Sequence, residues 1–118
     1  MAIGEAPVLE ALVDINAVSL ARSELDPVTL LMVRIAALAA VDAPEASYLM
    51  HVPPAAEANL TVEQVQDVLV TVAPIVGAPR VLSAALKITD ALGLVIAVMQ
   101  ATADTADTAD TADTATGG

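Results

Sequence analysis

Helix punctuation limits what this chain can fold into more than any other feature. Asp26 stands directly before Pro27, which pairs an N-cap acceptor with a ring already set for the first helical turn. Thr61 and Gln64 have the spacing of a capping box, with Leu60 ahead of them as a staple residue. Pro74 and Gly77 close the segment that follows, and Pro79 opens another running to about Gln100. Between these marks the apolar residues recur at helical spacing. Val8, Leu9, Leu12, Val13, Ile15 and Val18 do so from Pro7 to Arg22, as do Val65, Val68, Leu69 and Val72 after Val62. The stretch from Pro27 to about Val41 is apolar nearly all round, as a helix buried on several sides should be. Ala43-Pro44-Glu45 opens a short helix holding Tyr48 and His51, which Pro53-Pro54 is expected to break or kink. No alternating run is bounded by hairpin signals. The fold class is therefore all-α, with about five to six helices.

Composition narrows the setting. Of the 118 residues 57% are apolar, and 15 acidic residues face 4 basic ones. A net charge of −11 is the wrong sign for nucleic-acid binding or for docking on anionic lipid. The absence of cysteine excludes disulfides, thiolate metal sites and thiol redox chemistry. A single histidine, His51, nearly excludes a zinc site; no metal site and no cofactor are expected. The uninterrupted apolar runs stop short of the roughly 20 residues of a membrane span. No basic region precedes an apolar stretch at the N-terminus, so a cytoplasmic location is expected. A chain this small has too few polar residues to cover its surface, and closing the exposed patches between copies makes a homo-oligomer the expectation.

Three regions follow: an N-terminal helix over 1–24, a helical domain over 25–100, and a tail over 101–118. The tail is four Thr-Ala-Asp triplets ahead of a Gly-Gly end. Its period of three matches neither helix nor strand, and its small side chains offset little ordering entropy, so a disordered tail is expected.

Among individual residues, His51 is the natural general acid or base, since histidine alone titrates near neutrality in its reference state. Its plainer role is a hydrogen-bonded residue of a helix interface. Tyr48, three positions earlier, either shares a pocket with His51 or packs in the core with its hydroxyl satisfied. Ser47 is four before His51 and shares its helix face, the spacing of a Ser–His pair. Arg34 sits in the most apolar helix, where it needs either an acidic partner or an anionic substrate. Arg80 lies in the first turn of the last helix, a place that favours anions. Glu45 complements its own helix N-terminus first, and orients His51 second.

The order of these signals resembles the carboxymuconolactone decarboxylase family, which shares a superfamily with alkylhydroperoxidase D. Leu25-Asp26-Pro27 leads into an Ala-rich helix, a short helix reaches His51, and Leu60-Thr61-Val62-Glu63-Gln64-Val65 opens the next. Ala73-Pro74-Ile75-Val76-Gly77-Ala78-Pro79 precedes an Ala/Leu helix, and the resemblance covers about residues 25 to 92. It implies an alkylhydroperoxidase D-like helical domain assembled as a trimer or hexamer. One branch of the superfamily reduces peroxides through a Cys-x-x-Cys pair and an upstream Glu. Those positions here are Pro44, Ser47 and Leu31 or Met32, and serine cannot form the sulfenic intermediate, so thiol peroxidase activity is not expected. The other branch is a lyase that keeps a His at the place of His51 and a carboxylate where Glu45 stands.

Two readings of function result. In the first, His51 and Glu45 are catalytic, and Arg34, Arg80 and Tyr48 bind a small lactone or keto-acid carboxylate. In the second, the chain is a non-catalytic oligomeric scaffold or interaction protein that kept the fold and lost the site. A cavity that binds a small molecule without chemistry is a third.

Overall fold

The computed structural model describes residues 2–117, with side-chain surroundings described for residues 6–102. Five helices follow one another: α1 (Ala2–Arg22), α2 (Pro27–Ala40), α3 (Glu45–Glu57), α4 (Val62–Val76) and α5 (Ala78–Gly117). Among the described residues there is no strand, as the all-α expectation requires.

Local chemistry sets the helix boundaries. The Asp26 carboxylate accepts the backbone N–H of Thr29 at 3.1 Å and its hydroxyl at 2.6 Å, with Pro27 at the first helical position. These bonds hold the Asp26 carboxyl below its ordinary value, led by the one from the Thr29 side chain. At α4 the capping box is complete. Thr61 Oγ1 accepts from Gln64 N at 3.1 Å, and Gln64 Oε1 accepts from Thr61 N at 2.9 Å. A cap of this kind stabilises a helix by about 1 kcal/mol. Gly77 then ends α4 at φ +96°, a backbone conformation that side chains rarely adopt.

Two boundaries differ from the sequence expectation. α3 does not break at Pro53-Pro54 but runs on to Glu57. The rings remove two backbone donors, and both prolines lie exposed, on the side of α3 that meets water. The last helix, expected to run to about Gln100, continues as α5 to Gly117. Alanine at every third position favours helix, and neither proline nor glycine interrupts residues 94–116.

α5 packs against α2, α3 and α4, and α2 also packs against α3 and α4. The core between them is small-sided: Ala39, Ala43, Ala84 and Ala91 are buried together with Leu69 and the single aromatic ring, Tyr48. A polar clamp fixes the turn between α2 and α3 against α5. Asp42, at φ 52°, accepts from Ser83 Oγ at 2.8 Å and from Lys87 Nζ at 3.0 Å. Those two bonds and the Lys87 charge hold the Asp42 carboxyl below the usual carboxylate range. Lys87 also donates to the Ala43 carbonyl, and Arg80 to the Ala40 carbonyl at the end of α2.

α1 stands apart. Among the described residues no other helix packs along it. Its link to the bundle is Arg34 of α2, which donates to Asn16 Oδ1 and, at 3.0 Å, to Ser19 Oγ. Val8, Leu9, Leu12, Val13 and Ile15 are each more than half exposed. By length and composition Ala78–Thr102, which holds an 18-residue window of mean hydropathy 1.9, is long and apolar enough to cross a membrane. The count of uninterrupted apolar runs misses this stretch because polar residues divide it.

Candidate functional site

α3, α4 and α5 line a half-open cavity of about 290 Å³. That places it at the small end of ligand pockets, which span roughly 300–1,000 Å³. α3 contributes Tyr48, His51, Val52 and two alanines, Ala55 and Ala56. Val65 and Leu69 come from α4, facing Ile88 and Leu92 of α5. Ile35 of α2 also lines it. The walls are therefore mostly hydrocarbon, and no Asp, Glu, Lys or Arg lines them among the described residues.

His51 is half-buried in this wall. Its Nδ1 lies 2.7 Å from the main-chain carbonyl of Ser47, one helical turn back. A carbonyl oxygen can only accept, so Nδ1 carries the hydrogen. In the neutral ring Nε2 then bears the lone pair, and it has no hydrogen-bond partner among the described residues. The arrangement makes His51 a proton acceptor with its orientation fixed by the backbone. The contact runs to the Ser47 carbonyl and not to its hydroxyl, so the expected Ser–His pairing for a nucleophile is not formed.

Tyr48 shares the cavity with His51, as its three-residue spacing suggests. It is 4% exposed, and its hydroxyl is buried without a hydrogen-bond partner, where the sequence led to a satisfied one. Burial, with a smaller contribution from the Asp42 charge, pushes the phenol pKa up. The hydroxyl therefore stays protonated at neutral pH, a donor with nothing to donate to.

The other three candidates are not in the cavity wall. Glu45 is exposed in the first turn of α3. Arg34 is engaged with Asn16 and Ser19, neutral partners in place of the acidic one expected. Arg80 is exposed and serves the end of α2. The structure thus brings His51 and Tyr48 together and leaves Glu45, Arg34 and Arg80 outside. Sequence reading missed the cavity faces of α4 and α5, because residues such as Val65 and Leu69 have the same periodicity whether they line a void or fill it. Among the described residues no cluster of His, Asp and Glu could hold a metal ion.

An orphaned hydroxyl in the interior costs stability, about 1 kcal/mol or more. Tyr48→Phe keeps the ring and removes that group. Chemical denaturation should show the variant equal to or more stable than the parent, by up to about 1 kcal/mol. A loss of more than that amount would mean that the hydroxyl has a partner.

In comparisons with known proteins, the model of the carboxymuconolactone decarboxylase family matches residues 6–91. The match takes in most of α1 as well as the region carrying the resemblance. No curated protein and no solved structure matches the chain.

Proposed function

The chain belongs to the carboxymuconolactone decarboxylase family, and within it we propose that the protein processes a compact lactone or keto compound in the cavity, with His51 as its acid–base group. The observation that carries this reading is the fixed tautomer. Nδ1 is committed to the Ser47 carbonyl, and Nε2 is left with its lone pair in a largely apolar cavity. A proton on a carbon beside a carbonyl can pass to Nε2, the electron pair moving onto the carbonyl oxygen, and return from Nε2 to complete the reaction. General acid–base catalysis of this kind contributes roughly 10²–10⁴-fold to a rate. Decarboxylation, the lyase form suggested by the family's name, balances when Nε2 first takes the proton of the substrate's carboxylic acid; carbon dioxide then leaves, the C–C electron pair passes onto the neighbouring carbonyl oxygen, and Nε2 returns the proton to carbon.

The test is turnover of a panel of lactones and keto acids, compared between the parent and His51→Gln. The variant should lose at least about 10²-fold in kcat/KM, with its helix content unchanged by circular dichroism. Equal turnover in the two would remove His51 from the chemistry.

The second reading, a scaffold without chemistry, is favoured by the absence of charged side chains from the cavity wall. No turnover with any member of the panel would select it. Both readings share the proposal that the chain is a homo-oligomer. Exposed apolar residues of α1 and of α5 beyond Gly93 support it, among them Leu12, Ile15, Ile96 and Met99. Sedimentation equilibrium at micromolar concentration should give a multiple of 11.9 kDa. A monomer under those conditions would contradict the assembly.

A further inference from the structure

A wall without charge limits the form in which an anion can enter it. Between residues 45 and 102 the acidic side chains of α3, α4 and α5 are Glu45, Glu57, Glu63, Asp67 and Asp90, all exposed and none in the cavity wall. The cations of α2 and α5 are engaged elsewhere. Lys87 binds Asp42 and the Ala43 carbonyl, Arg80 the Ala40 carbonyl, and Arg34 the side chains of Asn16 and Ser19. Of the polar side chains that do line the cavity, Thr61 is held in the capping box of α4, Thr89 donates to the Ala85 carbonyl at 2.8 Å, and Gln66 is exposed. None of these three takes a charge. Tyr48, the other titratable group in the wall, stays a neutral phenol. Among the described residues His51 is therefore the one group in the wall that can become a cation.

Its geometry suits that state. The Ser47 carbonyl accepts from Nδ1 in the neutral ring and in the imidazolium alike, and a charged donor makes the bond roughly twice as strong. A proton added at Nε2 thus strengthens the contact that orients the ring. An imidazolium alone against hydrocarbon is costly, and so is a carboxylate alone. Brought together they are neutral overall, and each supplies the hydrogen bonds that the other needs. The half-open cavity lets both the anion and the proton arrive from water.

We propose that the cavity binds a small carboxylate together with one proton, the anion pairing with His51 protonated at Nε2, and holds the uncharged product of decarboxylation on the neutral ring. The proposal rests on the acid–base reading of His51 and specifies how that same site takes an anionic substrate. The bound state is the one that proton transfer from a carboxylic acid to Nε2 also reaches. Carbon dioxide leaves, the C–C electron pair passes onto the neighbouring carbonyl oxygen, and the Nε2 proton goes to carbon as the carbonyl re-forms. The proton taken up at binding is thus the one that the reaction consumes. His51 ends neutral, so the ion pair that held the substrate is gone when the product leaves. The site separates substrate from product by charge.

Levulinate and its methyl ester are suitable probes. Levulinate is a keto acid whose carbonyl stands too far from the carboxylate to take its electrons, so it binds without reacting. Calorimetric titration of the full chain at about pH 7.5, in two buffers of different ionisation enthalpy, counts the protons taken up. Levulinate should take up roughly half a proton or more, and the ester none. Levulinate affinity should fall by up to roughly tenfold for each pH unit above neutrality, while that of the ester stays constant. In nitrogen spectra Nε2 should change from pyridine-like to protonated as levulinate binds, and remain pyridine-like with the ester. In His51→Gln the uptake should vanish, and the comparison of acid with ester on the parent protein decides the matter if that variant does not fold.

Levulinate binding without proton uptake would overturn the proposal and point to a cation supplied from outside the protomer. So would uptake that leaves Nε2 unprotonated or persists in His51→Gln, or no response of His51 to levulinate on either side of neutrality. Failure here is separable from failure of the proposed function. Turnover that depends on His51 would stand even if levulinate binds without a proton, whereas turnover indifferent to His51→Gln would remove the acid–base reading even if the uptake is observed.

Discussion

The structure depends on a core built from side chains too small to fill it. Four of the six residues in the buried cluster are alanines, and Tyr48 is the one large ring among them. Alanine lets helices approach closely, but it brings little volume, and protein interiors tolerate few voids. Where α3, α4 and α5 diverge, small residues such as Ala55, Ala56 and Ala85 leave the cavity open beside the Tyr48 ring. The same residue choice thus gives tight contact in one part of the bundle and an apolar pocket in another.

His51 acquires its character from that setting through one backbone contact. A histidine whose Nδ1 is bound to its own helix has one tautomer in the neutral state, and the acceptor nitrogen is defined by elimination. With no charged group in the surrounding wall, the polar chemistry of the cavity reduces to that nitrogen. The charged side chains are used in other ways. Arg80 and Lys87 bind carbonyls at the end of α2 and in the turn after it, and Arg34 ties α1 to the bundle. These cations hold the architecture together without entering the pocket.

The legible part of the sequence was its local chemistry. Asp26-Pro27, the Thr61/Gln64 box and Gly77 mark boundaries through contacts within a few residues, so composition and spacing suffice to place them. The combination of those marks also carried the resemblance that the family match bears out. Pro53-Pro54 was less legible, because whether a proline pair ends a helix depends on whether the surroundings favour its continuation. The partners of Arg34, Arg80 and Lys87 lie between 15 and 45 residues away in sequence, beyond what periodicity reaches. The cavity was hidden for a different reason. A helix face that borders a void and one that packs solidly have the same apolar pattern, and the difference lies in volumes summed over three helices.

The most direct test of this account is the protonation pattern of the His51 ring in the ligand-free protein. Long-range proton–nitrogen correlation spectra distinguish the two ring nitrogens, and the single histidine makes the signals unambiguous. In the neutral ring the account predicts one tautomer, with the hydrogen on Nδ1 and an unprotonated, pyridine-like Nε2. A ring protonated at Nε2, or averaging between both forms, would contradict it and remove the fixed acceptor on which the reading of the cavity rests.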